Sequence, residues 1–144
     1  MAVWHGLTGT ADRPTVFRMS VEGPARATIA SELVRLQAQY YGRGPTKAKV
    51  AYDGDVLAVV LEETFTPAER TLIERGEADG IQDIRRRFQT IMAEEFTAVV
   101  EQATGRKVRA FLSETNLEND ISVEVFILSE GRTDMTGFEA DTSG

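Results

Sequence analysis

Ile29, Leu33, Leu36 and Tyr40 recur at spacings of four, three and four residues, which is the single apolar stripe of an amphipathic helix. Pro24 suits the first turn of that helix, where its missing N–H does no harm. Gly42 supplies the stop and Pro45 prevents resumption. In "TKAKVAYDGDVLAVVLEE" the pair Asp53-Gly54 separates two β-forming runs, a strong short-range hairpin signal that predicts antiparallel strands over 46–52 and 55–62. Thr66, Pro67 and Glu69 then form a capping box, predicting a short helix to about Arg75. A long helix follows, with Ile81, Ile84, Phe88, Ile91 or Met92, Phe96, Val99 and Ala103 every three or four residues, closed by Gly105. "RKVRAFLSE" and "DISVEVFILS" read as two further strands. In the last, Ile121, Val123, Val125 and Ile127 alternate with a second face that is polar early and apolar late.

The order is therefore helix, strand, strand, short helix, helix, strand, strand. Gly42-Arg43 and Gly105-Arg106 hold the same place in each half, as a duplication or as convergent turn chemistry. The predicted class is α+β. Its architecture is a two-layer sandwich, a four-stranded antiparallel sheet with two long helices on one face (αββ-ααββ, a permuted ferredoxin-like arrangement). The organised domain is expected over 23–129. Residues 1–22 read as a flexible arm whose stretch 14–22 suits an edge strand, and 130–144 as a disordered acidic tail.

At 144 residues and 42% apolar content the chain has the size and composition of one packed domain. The net charge of −7 opposes sequence-independent nucleic-acid binding and favours solubility. With no cysteine, disulfides, zinc-thiolate sites and thiol nucleophiles are excluded. There is no signal-peptide pattern and no apolar run near the ~20 residues of a membrane span. A cytoplasmic protein without direct membrane insertion is expected.

Candidate chemistry is sparse. His5, the single histidine, lies beside Trp4 outside the organised region. The carboxylate pairs Glu62-Glu63 and Glu94-Glu95 diverge and read as solvated surface. "SETNLEND" is oxygen-rich but lacks the central glycine of a calcium loop, and reads as a polar hairpin connection. Arg85, Arg86 and Arg87 spread around the polar arc of the long helix. No serine-hydrolase elbow is present. "YYGRGPTKAKV" has the glycines and cations of an anion loop, but a helix precedes it and a strand follows. A helix C-terminus repels phosphate, so a helix stop is the main reading. Tyr41, Arg43, Lys47 and Lys49 stay as the candidate anion or partner site. No catalytic residue, metal or cofactor is assigned.

The segments "YYGRGPTKAK", "FTPAE", "TGRKV" and "DISVEVFIL" resemble those of a bacterial family first catalogued as domain of unknown function 2294 and then named MpsC. The resemblance covers about residues 25–129. It implies association with a sodium-coupled membrane-potential and ion-uptake system, hence a membrane-protein partner. Two functions follow. One is a non-catalytic accessory or regulatory module; the other is a sensor or enzyme for an anionic small molecule, using Arg43, Lys47 and Lys49. The apolar runs in 55–62 and in the last strand leave a second sheet face that helices on one side cannot cover. A homodimer is expected, with Leu57, Val59, Phe126 and Leu128 at its interface.

Overall fold

The structure, a computed structural model, describes the backbone of residues 12–130 and side chains from 23 onward. The elements are helix α1 (Asp12–Tyr41), strands β1 (Lys47–Asp53) and β2 (Val56–Glu62), helices α2 (Pro67–Glu74) and α3 (Ala78–Thr104), and strands β3 (Val108–Asn116) and β4 (Ile121–Leu128). The four strands form one antiparallel sheet in the order β1-β2-β4-β3. The α+β class and the four-stranded antiparallel sheet are as the pattern predicts.

One boundary and one helix face differ. Helix α1 begins at Asp12, so 14–22 is helical rather than an edge strand, and Pro24 lies inside the helix instead of in its first turn. That proline costs the helix one hydrogen bond, to residue 20. The rest of the expected arm and the acidic tail lie outside the described residues. On α3 the buried stripe is Ile81, Arg85, Met92, Phe96 and Val100. Ile84 and Ile91 are exposed, and Met92 takes the inward position.

Both long helices pack on one face of the sheet. Ile29, Leu33 and Leu36 of α1 meet Met92, Phe96 and Val100 of α3 over Leu57, Val59, Leu61, Phe126 and Leu128. The last five are all 0% exposed. This corrects the expected dimer interface: Leu57, Val59, Phe126 and Leu128 are the floor of the protein's own core. The parity of both central strands is the reverse of the predicted one. Leucine and phenylalanine dominate the set under the helices, with Val59 among them, while valine, isoleucine and alanine dominate the uncovered face of β2 and β4. Phe126→Glu would therefore break the core rather than split a dimer.

The β1–β2 turn also sits one residue later than predicted. Asp53 pairs with Val56, so the central residues are Gly54 and Asp55. Gly54 has φ +60°, as the first central residue of a type II′ turn requires. Gly54→Val should destabilise the protein by about 1–3 kcal/mol, because a β-branched residue is strained at positive φ. An unchanged melting temperature would count against this turn.

The two Gly-Arg pairs do equivalent work. Gly42 (φ +88°) ends α1 and Gly105 (φ +73°) ends α3. Arg43 donates to the carbonyl of Glu63, the first residue after β2, at 2.9 Å. Arg106 donates to the carbonyl of Ser129, the first residue after β4, at 3.0 Å. The glycines and the arginines are each 63 residues apart, as are Val60 and Val123, partners at the middle of the sheet. Each arginine ties the end of its helix to the end of the second strand in its own half.

Candidate functional site

The densest polar cluster lies where the C-terminus of α1, the β2–α2 connection, α2, α3 and β4 meet. Glu69 is built in by the capping box. Its backbone N–H donates to Thr66 Oγ1 at 3.1 Å, and its Oε1 accepts from the Thr66 N–H at 2.9 Å. The same carboxylate takes Arg85 as a fork, Nε to Oε2 at 2.8 Å and Nη2 to Oε1 at 2.6 Å. Arg85 Nη2 also donates to the Thr64 carbonyl at 3.1 Å. Its guanidinium lies 4.1 Å from the Tyr41 ring centroid and 5.2 Å from that of Phe65, within cation–π range. Arg85 is only 1% exposed. The sequence had placed it on the polar arc of α3, but four groups from α1, the β2–α2 connection and α2 enclose it. Arg87 of the same run keeps to the surface, paired with Asp83.

Asp120 holds the β2–α2 connection from the tip of the β3–β4 hairpin. Its carboxylate accepts from the Thr64 N–H at 2.8 Å, from Thr64 Oγ1 at 3.0 Å and from the Phe65 N–H at 3.3 Å. Arg70 reaches the same group at 3.4 Å. Glu63 and Asp120 both have positive φ, 61° and 54°, and the Glu63 N–H donates to the Asp120 carbonyl at 3.1 Å. Only residues 117–120 of the "SETNLEND" segment form the expected hairpin connection; 113–116 belong to β3, and the last residue, Asp120, is also a clamp.

Glu124 is the unusual titratable group. It is 1% exposed, on the helix-facing side of β4, opposite Ser113. Burial pushes its carboxyl up to about 7, against the lowering effects of Ser113 and Arg85. Its Oε1 has no hydrogen-bond partner, and neither has the Tyr41 hydroxyl. Tyr41 is raised to about 12, chiefly by burial, with Arg85 opposing. For Glu69, burial acts upward but the bonds from Arg85 and from the Thr66 backbone outweigh it, so its carboxyl titrates below the ordinary value. An acid near neutrality can serve as a general acid or base, but Glu124 is sealed beneath the helices.

An open cleft of about 510 Å³ lies beside this cluster, lined by Arg43, Phe65, Pro67, Arg70, Thr71 and Glu74. The one hydroxyl in it, on Thr71, donates to the Pro67 carbonyl at 3.0 Å. Arg43 spends one guanidinium nitrogen on the carbonyls of Glu63 and Phe65, at 2.9 and 2.6 Å.

The structure separates the four residues of the candidate anion site. Tyr41 lies in the interior against Phe88, with ring centroids 4.7 Å apart. Arg43 lines the cleft. Lys47 and Lys49 stand exposed on β1, at the parity that faces away from the helices. Sequence reasoning missed Arg85, Glu124 and Asp120 as structural centres. Among them only Arg85 left a usable trace, a cation falling at the four-residue spacing of the inward stripe Ile81–Arg85–Met92.

Fold and site together define a small two-layer α+β module whose strongest polar interactions are spent on its own loops and helix ends. The model of the MpsC family, described as a Na+-translocating membrane potential-generating system, matches residues 22–130, and the chain belongs to this family. No curated protein and no solved structure matches the chain. No helix among the described residues is long and apolar enough to cross a membrane.

Proposed function

We propose that this chain is a cytoplasmic, non-catalytic accessory or regulatory module of a sodium-coupled membrane-potential system, acting by docking on a membrane-protein component. The observation that carries the reading is how the polar groups are used. Glu69, Arg85 and Asp120 bind neighbouring parts of the fold, the near-neutral acid Glu124 is inaccessible, and the Thr71 hydroxyl in the cleft is engaged by its own helix. A rigid presentation of surface fits a docking role better than turnover. The purified protein should sediment with membrane vesicles that contain the system's integral components, and not with protein-free liposomes of the same lipids. Equal binding to both, or to neither, would overturn the proposal.

A second reading rests on the cleft. Arg43 and Arg70 bring two guanidinium groups to an open surface of ligand-sized volume, which suits an anionic small molecule without help from Lys47 or Lys49. Such a ligand would raise the melting temperature in a panel of nucleotides, bicarbonate and phosphometabolites. The docking reading predicts no shift that depends on Arg70.

A further inference from the structure

The face of the sheet turned away from the helices has no layer over it among the described residues. It carries Val56, Ala58, Val60 and, at the strand end, Glu62 of β2 and Ile121, Val123, Val125 and Ile127 of β4, with Leu112 beside them on β3. Val56 is 46% and Leu112 57% exposed. The others are half-buried. Four strands about 4.8 Å apart and seven residues at about 3.3 Å each give a face on the order of 400 Å², with charged residues toward its edges and a contiguous apolar patch along β2 and β4.

The charges on this face are ordered. The middle row across the sheet reads Lys49, Val60, Val123, Glu114, and the next reads Ala51, Ala58, Val125, Leu112. In the middle row one end is cationic and the other anionic, and one half of the second row is small where the other half is large. The geometry points to a second copy of this chain as the occupant, packed face to face about a two-fold axis that runs parallel to the strands. That axis lays each row on its own reverse. Lys49 then faces Glu114 of the second copy, Val60 faces its Val123, Ala58 its Val125 and Ala51 its Leu112. Opposite charges meet, and small side chains meet large ones. An axis across the strands would instead set Lys49 on Lys49 and Glu114 on Glu114, which is repulsive. Packed sheets cross at about −30°, so the long lysine and glutamate side chains span the offset.

The area, on the order of 800 Å² for the pair, lies below the standard size of specific interfaces. The dimer should therefore dissociate on dilution within the micromolar range. Sedimentation equilibrium of the full chain should show a reversible monomer–dimer equilibrium. Leu112→Arg and, separately, Lys49→Glu should each weaken it at least tenfold, with the far-UV circular dichroism spectrum unchanged. Combining Lys49→Glu with Glu114→Lys should recover most of the loss, which general misfolding could not do. A wild-type monomer at every concentration, whether the chain's own ends cover the face or it stays open, overturns the proposal. So does a dimer indifferent to Leu112→Arg, or a double charge exchange that fails to recover.

Discussion

Replacing Arg85 with alanine should lower stability by about 3–5 kcal/mol, because it leaves one member of a buried ion pair without its partner. For a domain of this size that is a fall on the order of 10 °C in melting temperature. Glu69 would keep its capping bond to Thr66 but lose both contacts to the guanidinium. The Thr64 carbonyl would lose a donor, and the Tyr41 and Phe65 rings their cation. Arg85→Lys should recover only part of the loss. An ammonium cannot fork onto both carboxylate oxygens while also reaching the carbonyl and lying flat on two rings. Urea denaturation of the three proteins checks this, and a loss below about 1 kcal/mol for alanine would show that the pair is not a structural centre.

The second large effect is on pH dependence. Glu124 titrates at about 7 in the folded chain, chiefly through burial, against an ordinary value of 4.5. Below 4.5 both folded and unfolded chains hold its proton, and the group costs nothing. Between 4.5 and 7 the folded chain keeps the proton that the unfolded chain has released, so each step up in pH removes stability. Above 7 the deficit is constant, on the order of 3 kcal/mol. Glu69 acts in the opposite sense. Its lowered carboxyl contributes stability that is present above the ordinary value and is lost as pH falls below it. From these two groups alone, stability should be greatest near pH 5 and lower at pH 8. Glu124→Gln should remove most of the loss toward alkaline pH while leaving the acid limb in place. An unchanged slope between pH 5 and 8 in the variant would place the titration elsewhere.

Most of the architecture was legible because the local signals agree with one another. The capping box at Thr66, the left-handed glycines at 42 and 105 and the heptad-like stripes each correspond to a bond or a buried face in the structure. The sheet parity was not legible. In "VLAVVLE" and "ISVEVFIL" both alternating sets are largely apolar, so period two cannot say which set faces the helices. Glu124 made matters worse, since a carboxylate argues for the solvent side but is here buried beside Arg85. That arrangement becomes visible only once α3 is laid over β4. The "YYGRGPTKAKV" loop shows the same limit. Its cations were adjacent in sequence, but the turn sends Arg43 to the end of β2 and the strand turns Lys47 and Lys49 to the opposite face. A pattern along the chain gives the elements; which charges converge depends on how those elements pack.

The proposed role is modulation of a sodium-coupled membrane system without chemistry of the chain's own. Its most direct test is the sodium-dependent membrane potential of vesicles prepared from cells with and without the chain, measured with a potential-sensitive dye. Vesicles lacking the chain should develop a smaller potential on addition of sodium, and purified protein should restore it in proportion to the amount bound. An identical sodium response with and without the chain, while the integral components are present at equal levels, would contradict the claim.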